Sequence, residues 1–312
     1  MPYGFDSATL AKILQQHPDL QPPRSDTNDL SDDGDANSTG NGVWVHTLAP
    51  DLQHYQVATV RFRRLPTKLR TLARVGQLTI NIEDPQARAS LPNARLAIDQ
   101  NFHGITVLFS PSAGDHAIDV LAVPGILVHD HPYGSFVHKA DGHMWLSDSL
   151  PRDMPTARVM IYGYESGLQD DTAFAGLDDL ASSLHLDVRR LLRLGNQTRL
   201  ILIGHSLGGL LIKGALVRMT EPDSVLELKS VVGVLFFGVP NDGMDIESLV
   251  PIVNNRLSRG LLESLSAINS NILRLQGRSF AKVLNQTAME IFCFYETKVS
   301  PTAAQVSSPS SL

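Results

Sequence analysis

The chain has 312 residues, 43% of them hydrophobic and 19% charged, with a net charge of −6. That is ample for a sizeable core, and an acidic balance with no basic stripe argues against a nucleic-acid partner. A single cysteine excludes an internal disulfide and points to a reducing compartment.

The N-terminus lacks the basic start and apolar stretch of a signal peptide, and no run of about 18 apolar residues offers a transmembrane span. A soluble, intracellular and cytoplasmic protein is therefore expected. Residues 1–50 are polar, with Pro22-Pro23 and an acidic run through Asp32, Asp33 and Asp35. Such a composition buries too little apolar surface to offset the entropy of ordering, which predicts a disordered tail. Residues 55–110 carry short β-like runs, Val57 to Phe62, Gln77 to Ile82 and Gly104 to Phe109. They predict a β-rich N-terminal addition or the leading antiparallel strands of the main sheet.

Over 115–300 strands alternate with helices, the pattern of βαβ units and a parallel sheet. Asp119 to Val123 reads as a buried strand, His143 to Leu150 as a helix ended by Pro151, and Ala157 to Tyr164 as a second strand. Leu177, Leu180, Leu184, Val188, Leu191 and Leu192 recur at helical spacing before Gly195. After them come a strand ending in Gly204-His205-Ser206-Leu207-Gly208, a helix, and the strand Val231 to Phe237. A mostly helical segment from Ile246 to Leu275 and the strand Glu290 to Glu296 complete the pattern, and 301–312 is a polar tail. Each strand is apolar enough to predict burial on both faces, and Cys293 is expected to fill the core.

The run from Arg199 to Met219 carries the chemistry. Strand, G-x-S-x-G and helix in succession describe a nucleophile elbow. Ser206 has to stand on a turn too tight for its neighbours to bear Cβ atoms, so Gly204 and Gly208, with Gly209 extending the turn, let strand and helix approach. His205 packs or orients within that turn. The Leu207 amide, opening the helix, faces a developing oxyanion with the helix dipole behind it.

The segments DVLAVPG (119–125), WLSDSLPRDMPTARVMIYGYESGL (145–168), LILIGHSLGGLLIKGAL (200–216) and GVLFFGVPNDGMDIESL (233–249) resemble a family of fungal serine esterases. That family is related to the eukaryotic serine active site-containing protein and to the hydrolase domains of fungal NACHT and ankyrin receptor-like proteins. The resemblance implies an α/β-hydrolase fold, a mostly parallel sheet with helices on both faces, truncated here at its C-terminal end. It also implies an ester or lipid substrate, peripheral membrane association, and a mitochondrial or endoplasmic-reticulum setting.

On that pattern the second oxyanion donor follows the third strand, at Ile126, where the family often shows Leu-Gly-Gly-His. This chain reads Pro124-Gly125-Ile126-Leu127-Val128-His129-Asp130-His131, without the glycine pair. One lost donor costs about 2.7–4 kcal/mol of transition-state stabilisation. Glu296 is at the address of the catalytic acid, with Asp242 and Asp245 as fallbacks. The family's histidine lies beyond the final strand, yet none of the eleven histidines follows Ser206. The pair His129 and His131, with Asp130 between them, resembles a crude metal cluster but finds no third ligand at a useful spacing, so no metal and no cofactor are expected. Two readings stay open, a serine hydrolase and a catalytically dead hydrolase module used for interaction or signalling.

Overall fold

The computed structural model describes residues 6–21, 42–50, 55–72, 76–82, 95–100, 102–112, 114–125, 132–138, 140–164, 176–194, 198–243, 261, 264–266, 271–295 and 297. Two compact units divide the chain, one of residues 1–101 with 107–110, the other of 102–106 with 111–312.

In the first unit, helix α1 (Ser7–Gln16) opens at Asp6, whose carboxylate accepts the Thr9 N–H at 2.7 Å. This N-terminal cap satisfies one of the helix's orphan donors. Leu10, Ile13 and Leu14, on one face, pack into a core with Leu20, Val43 and Leu69. Strands β1 (Val43–Pro50) and β2 (Gln56–Phe62) pair antiparallel, as do β3 (Gln77–Asn81) and β4 (Arg95–Asp99). The expected disorder of 1–50 therefore fails at both ends of that stretch. Average polarity concealed a short amphipathic helix and a strand with buried Val43 and Ala49. Residues 22–41, with the acidic run, lie outside the described residues.

A six-stranded sheet has the order β10-β9-β8-β6-β7-β5, and its strands from β6 to β10 lie wholly in the second unit. Its strands are β5 (Gly104–Phe109), β6 (Ile118–Val123), β7 (Ala157–Gly163), β8 (Arg199–His205), β9 (Val231–Phe237) and β10 (Glu290–Phe294). The five from β10 to β7 run parallel. Val120, Leu121, Ala122 and Val123 are all buried, as a strand covered on both faces requires. Helix α4 (Leu177–Leu194) buries the apolar stripe read from the sequence and packs on α5 (Leu207–Arg218). A further helix, α7 (Asn271–Gln286), packs on α5 as well. Each fully buried leucine of these faces contributes roughly 1.5–3 kcal/mol. This is the α/β-hydrolase arrangement, with β8 in its interior. No helix among the described residues is long and apolar enough to cross a membrane.

Several elements differ from expectation. The stretch expected to be one helix, 143–150, is two short ones, α2 (Trp145–Asp148) and α3 (Leu150–Asp153). Pro151 lies in the first turn of α3 rather than ending a helix. A first-turn proline costs nothing because its missing N–H has no intrahelical acceptor there. Of the segment 246–275, residues 246–260 lie outside the described residues, and α7 continues eleven residues past Leu275, to Gln286. Cys293 is exposed rather than core, as are Phe292 and Phe294 on the same strand. Among the described residues β10 is the last strand of the sheet, and the covering that buries the interior strands does not extend to it.

Candidate functional site

The sheet runs β6 to β7 in one direction and then returns past β6 to β8 and β9. At such a reversal, the loops leaving two neighbouring strands diverge and open a crevice beyond their carboxyl ends. The loops that leave β6 and β8 here carry Pro124-Gly125 and Ser206.

Ser206 has φ 51° and ψ −122°, and it is the sole non-glycine residue with positive φ among the described residues. A serine held there stores roughly 1–3 kcal/mol of backbone strain. The packing around it leaves no alternative. An added Cβ on Gly204 would lie 2.7 Å from Gly209 Cα, and one on Gly209 would lie 2.2 Å from Val239 Cγ2. One on Gly208 would lie 2.2 Å from the Val123 carbonyl oxygen. The Ser206 N–H donates to the Phe237 carbonyl at 2.8 Å, which ties the turn to the end of β9. The strain predicts that Ser206→Gly melts higher than the parent. Relief of the strain less the entropic cost of glycine gives about 1 kcal/mol net, or about 2–4 °C by calorimetry. An unchanged or lower midpoint would show that the turn is not strained in solution.

The loop after β6 lies against the serine. A Cβ on Gly125 would stand 2.9 Å from both His205 Nδ1 and Ser206 Cβ. Two groups fix this loop. The Gly125 N–H donates to Ser135 Oγ at 3.1 Å, and the Tyr164 hydroxyl donates to the carbonyls of Pro124 (3.0 Å) and Gly125 (2.8 Å). Burial, reinforced by neighbouring Tyr162, pushes the Tyr164 phenol far above its ordinary value, so it remains a neutral donor. The Gly125 amide is engaged with Ser135 and is not offered to a substrate. Leu207 opens α5, where its N–H has no intrahelical acceptor. Ile126, the expected second donor, lies outside the described residues, as do His129, Asp130 and His131.

The His205 ring meets Phe136 edge-on, with centroids 6.4 Å apart. Asp242 is exposed in the turn after β9, while Asp245 and Glu296 lie outside the described residues. That turn is held from α5. Lys213 Nζ donates to Asn241 Oδ1 and lies over the rings of Phe236 and Phe280, 5.0 and 5.4 Å from their centroids. Burial lowers the Lys213 pKa, and the nearby Cys293 and Asp242 oppose that shift.

The described histidines are engaged elsewhere or far along the chain. His116 meets Asp119, His138 meets Asp141, His143 meets Ser149, and His185 meets Ser224. None hydrogen-bonds Ser206 among the described residues. The described residues also bring together no cluster of three metal-ligating side chains.

Tyr164, Ser135 and Lys213 were missed by the sequence reading. A tyrosine just after a buried strand and a lysine inside an apolar helix face were visible signals, since each must find a polar partner when buried. Ser135 gave none.

No protein-family model matches the chain. No curated protein matches it either. Among solved structures, it is similar to the lipase BlEst2 of Bacillus licheniformis in mature form, at 12% identity and TM-score 0.45, over 63% of this chain and 73% of that one. It is similar to the phospholipase PlaB of Legionella pneumophila, at 16% identity and TM-score 0.43, over 59% of this chain and only 40% of that one. An inhibited esterase B from Lactobacillus rhamnosis aligns at 15% identity and TM-score 0.33, over 73% of this chain and 81% of that one.

Proposed function

We propose that the second unit is a serine hydrolase acting on carboxylic esters, lipid acyl esters included, with Ser206 as nucleophile. The observation that carries this reading is the positive φ of Ser206, enforced by glycines that pack without room for a Cβ. Strain of this kind is retained where a side chain must be presented rather than buried. The resemblance of the elbow and strand segments to fungal serine esterases points the same way. In this reading Ser206 Oγ attacks the ester carbonyl and loses its proton to a base. The amides of Leu207 and Ile126 receive the oxyanion, the alcohol departs, and water then releases the acid. Glu296 is the orienting acid, with Asp242 and Asp245 as alternatives.

One observation favours the second reading, a hydrolase module that binds rather than cleaves. No histidine follows Ser206 in the sequence, and loss of the base costs on the order of 10⁶ in turnover. Fluorophosphonate labelling separates the two, because the probe needs an activated serine and no knowledge of substrate. Labelling of the 312-residue chain that disappears in Ser206→Ala is the expected result. A folded sample that takes up no probe would leave the binding module as the reading.

A further inference from the structure

We propose that the C-terminal half of α4, with the neighbouring short helix α6 (Val225–Ser230), is a docking cleft for an acidic amphipathic helix of a partner protein. The cleft has a volume of about 310 Å³ and is lined by Leu186, Arg189, Arg190, Arg193 and Leu194. Its leucines are exposed to an extent that burial on α4's inner face does not explain, 59% for Leu186 and 56% for Leu194. Leu226, on α6, is 65% exposed.

The arginines are partly organised from within. Arg193 Nε contacts Glu227 at 2.6 Å, and Arg189 donates to the Asp223 carbonyl at 2.6 Å. Arg189 Nε itself is buried with no hydrogen bond, its carboxylate neighbour Glu227 standing 3.7 Å away. Arg190 is exposed and has no ion-pair partner among the described residues. The Glu227 carboxylate is shared by Arg189 and Arg193, which leaves the exposed Arg190 guanidinium to a partner. Planar guanidinium forks match carboxylates two bonds at a time.

The spacing defines the occupant. Leu186 and Leu194 are two helical turns apart, about 12 Å along α4, with the arginines between them. The complementary surface is a helix with two apolar anchors at that separation and carboxylates between, the helix-in-groove mode of recognition.

Shape selects a peptide over an anionic bilayer. Screening over a Debye length of about 10 Å leaves either partner to sense the local arginines, but a concave cleft admits the side chains of a helix where a flat layer of headgroups meets only its rim. The position is also distinct from the catalytic crevice. The cleft lies toward the N-terminal ends of β8 and β9, and Ser206 stands at the C-terminal end of β8. A partner seated there leaves the crevice open.

The test uses the full chain and a fluorescein-labelled helical peptide of about 18 residues, with leucines two turns apart and glutamates between them. Fluorescence anisotropy should show saturable binding, weakened about tenfold or more by Arg190→Glu and by Glu-to-Gln changes in the peptide. Arg190→Glu should keep the parental melting point. If it does not, Leu194→Asp at the other end of the cleft serves in its place. Absence of saturable binding, or binding that neither variant weakens, overturns the proposal. So does co-sedimentation with vesicles of about 30% phosphatidylserine that Arg190→Glu abolishes, because the cleft would then be a lipid-facing patch.

Discussion

Gly208→Ala is expected to destabilise the second unit severely, by roughly 3 kcal/mol or more. Within a helix the same exchange normally stabilises by up to about 1 kcal/mol, so the prediction concerns sign as well as size. Gly208 lies in the first turn of α5, and its Cβ would stand 2.2 Å from the Val123 carbonyl oxygen and 2.3 Å from that of Pro124. Both obstacles are backbone at the carboxyl end of β6, in the interior of the sheet, and neither can rotate aside as a side chain would. Relief requires moving α5 off the sheet or displacing the loop that Tyr164 and Ser135 hold. Gly277 is the control. It lies in α7, exposed, with nothing within 4 Å of its added Cβ. Gly277→Ala should therefore raise stability by about 0.5–1 kcal/mol. Thermal melts of the two variants should move in opposite directions, the first down by about 6 °C or more. A tolerated Gly208→Ala would mean that helix and strand are not in the close contact on which the elbow depends.

The legible parts of this molecule are those where local chemistry and long-range packing make the same demand. The elbow is one. Glycines at 204, 208 and 209 are needed by the turn itself and by the neighbours it touches, so the motif and the fold coincide. The interior strands are another, since Val120 to Val123 and Val159 to Ile161 can be so apolar only where both faces are covered. Failure came where a residue's environment is decided at a distance. EIFCFYE reads as an interior strand by composition, but its last-in-sheet position exposes Phe292, Cys293 and Phe294. Averaging over 1–50 hid α1, because three buried apolar residues in ten make a helix once another surface accepts them. The supports of the crevice, Tyr164 to Gly125 and Lys213 to Asn241, join residues 39 and 28 positions apart. No local pattern encodes such pairings. The proposed acid and second oxyanion donor, Glu296 and Ile126, lie outside the described residues and rest on the sequence alone.

Arg158→Met should be the most damaging single substitution away from the crevice, costing about 3–5 kcal/mol. Asp119 on β6 and Arg158 on β7 are direct cross-strand partners. The guanidinium meets the carboxylate through two bonds of 2.8 Å, and His116 Nε2 adds a third contact at 2.8 Å. Asp119 has no exposed side-chain surface at all, so removing the arginine takes two of the three contacts from a buried carboxylate and leaves it that of His116. Met matches the apolar stem of Arg158 and isolates the loss of charge from the loss of packing. The double variant Asp119→Val with Arg158→Met removes the desolvation penalty together with the attraction, and should recover most of the stability. Denaturant titrations of the two single variants and the double variant give the coupling directly. A single-variant cost below about 1 kcal/mol would mean that water reaches Asp119. The pair lies at the second residues of β6 and β7, whereas Ser206 follows the last residue of β8 in the same parallel sheet. The variant should therefore lose stability while each folded molecule keeps the geometry of Ser206. Any fluorophosphonate labelling by the parent should persist per folded molecule at low temperature, and its loss would show that strain travels the length of the sheet.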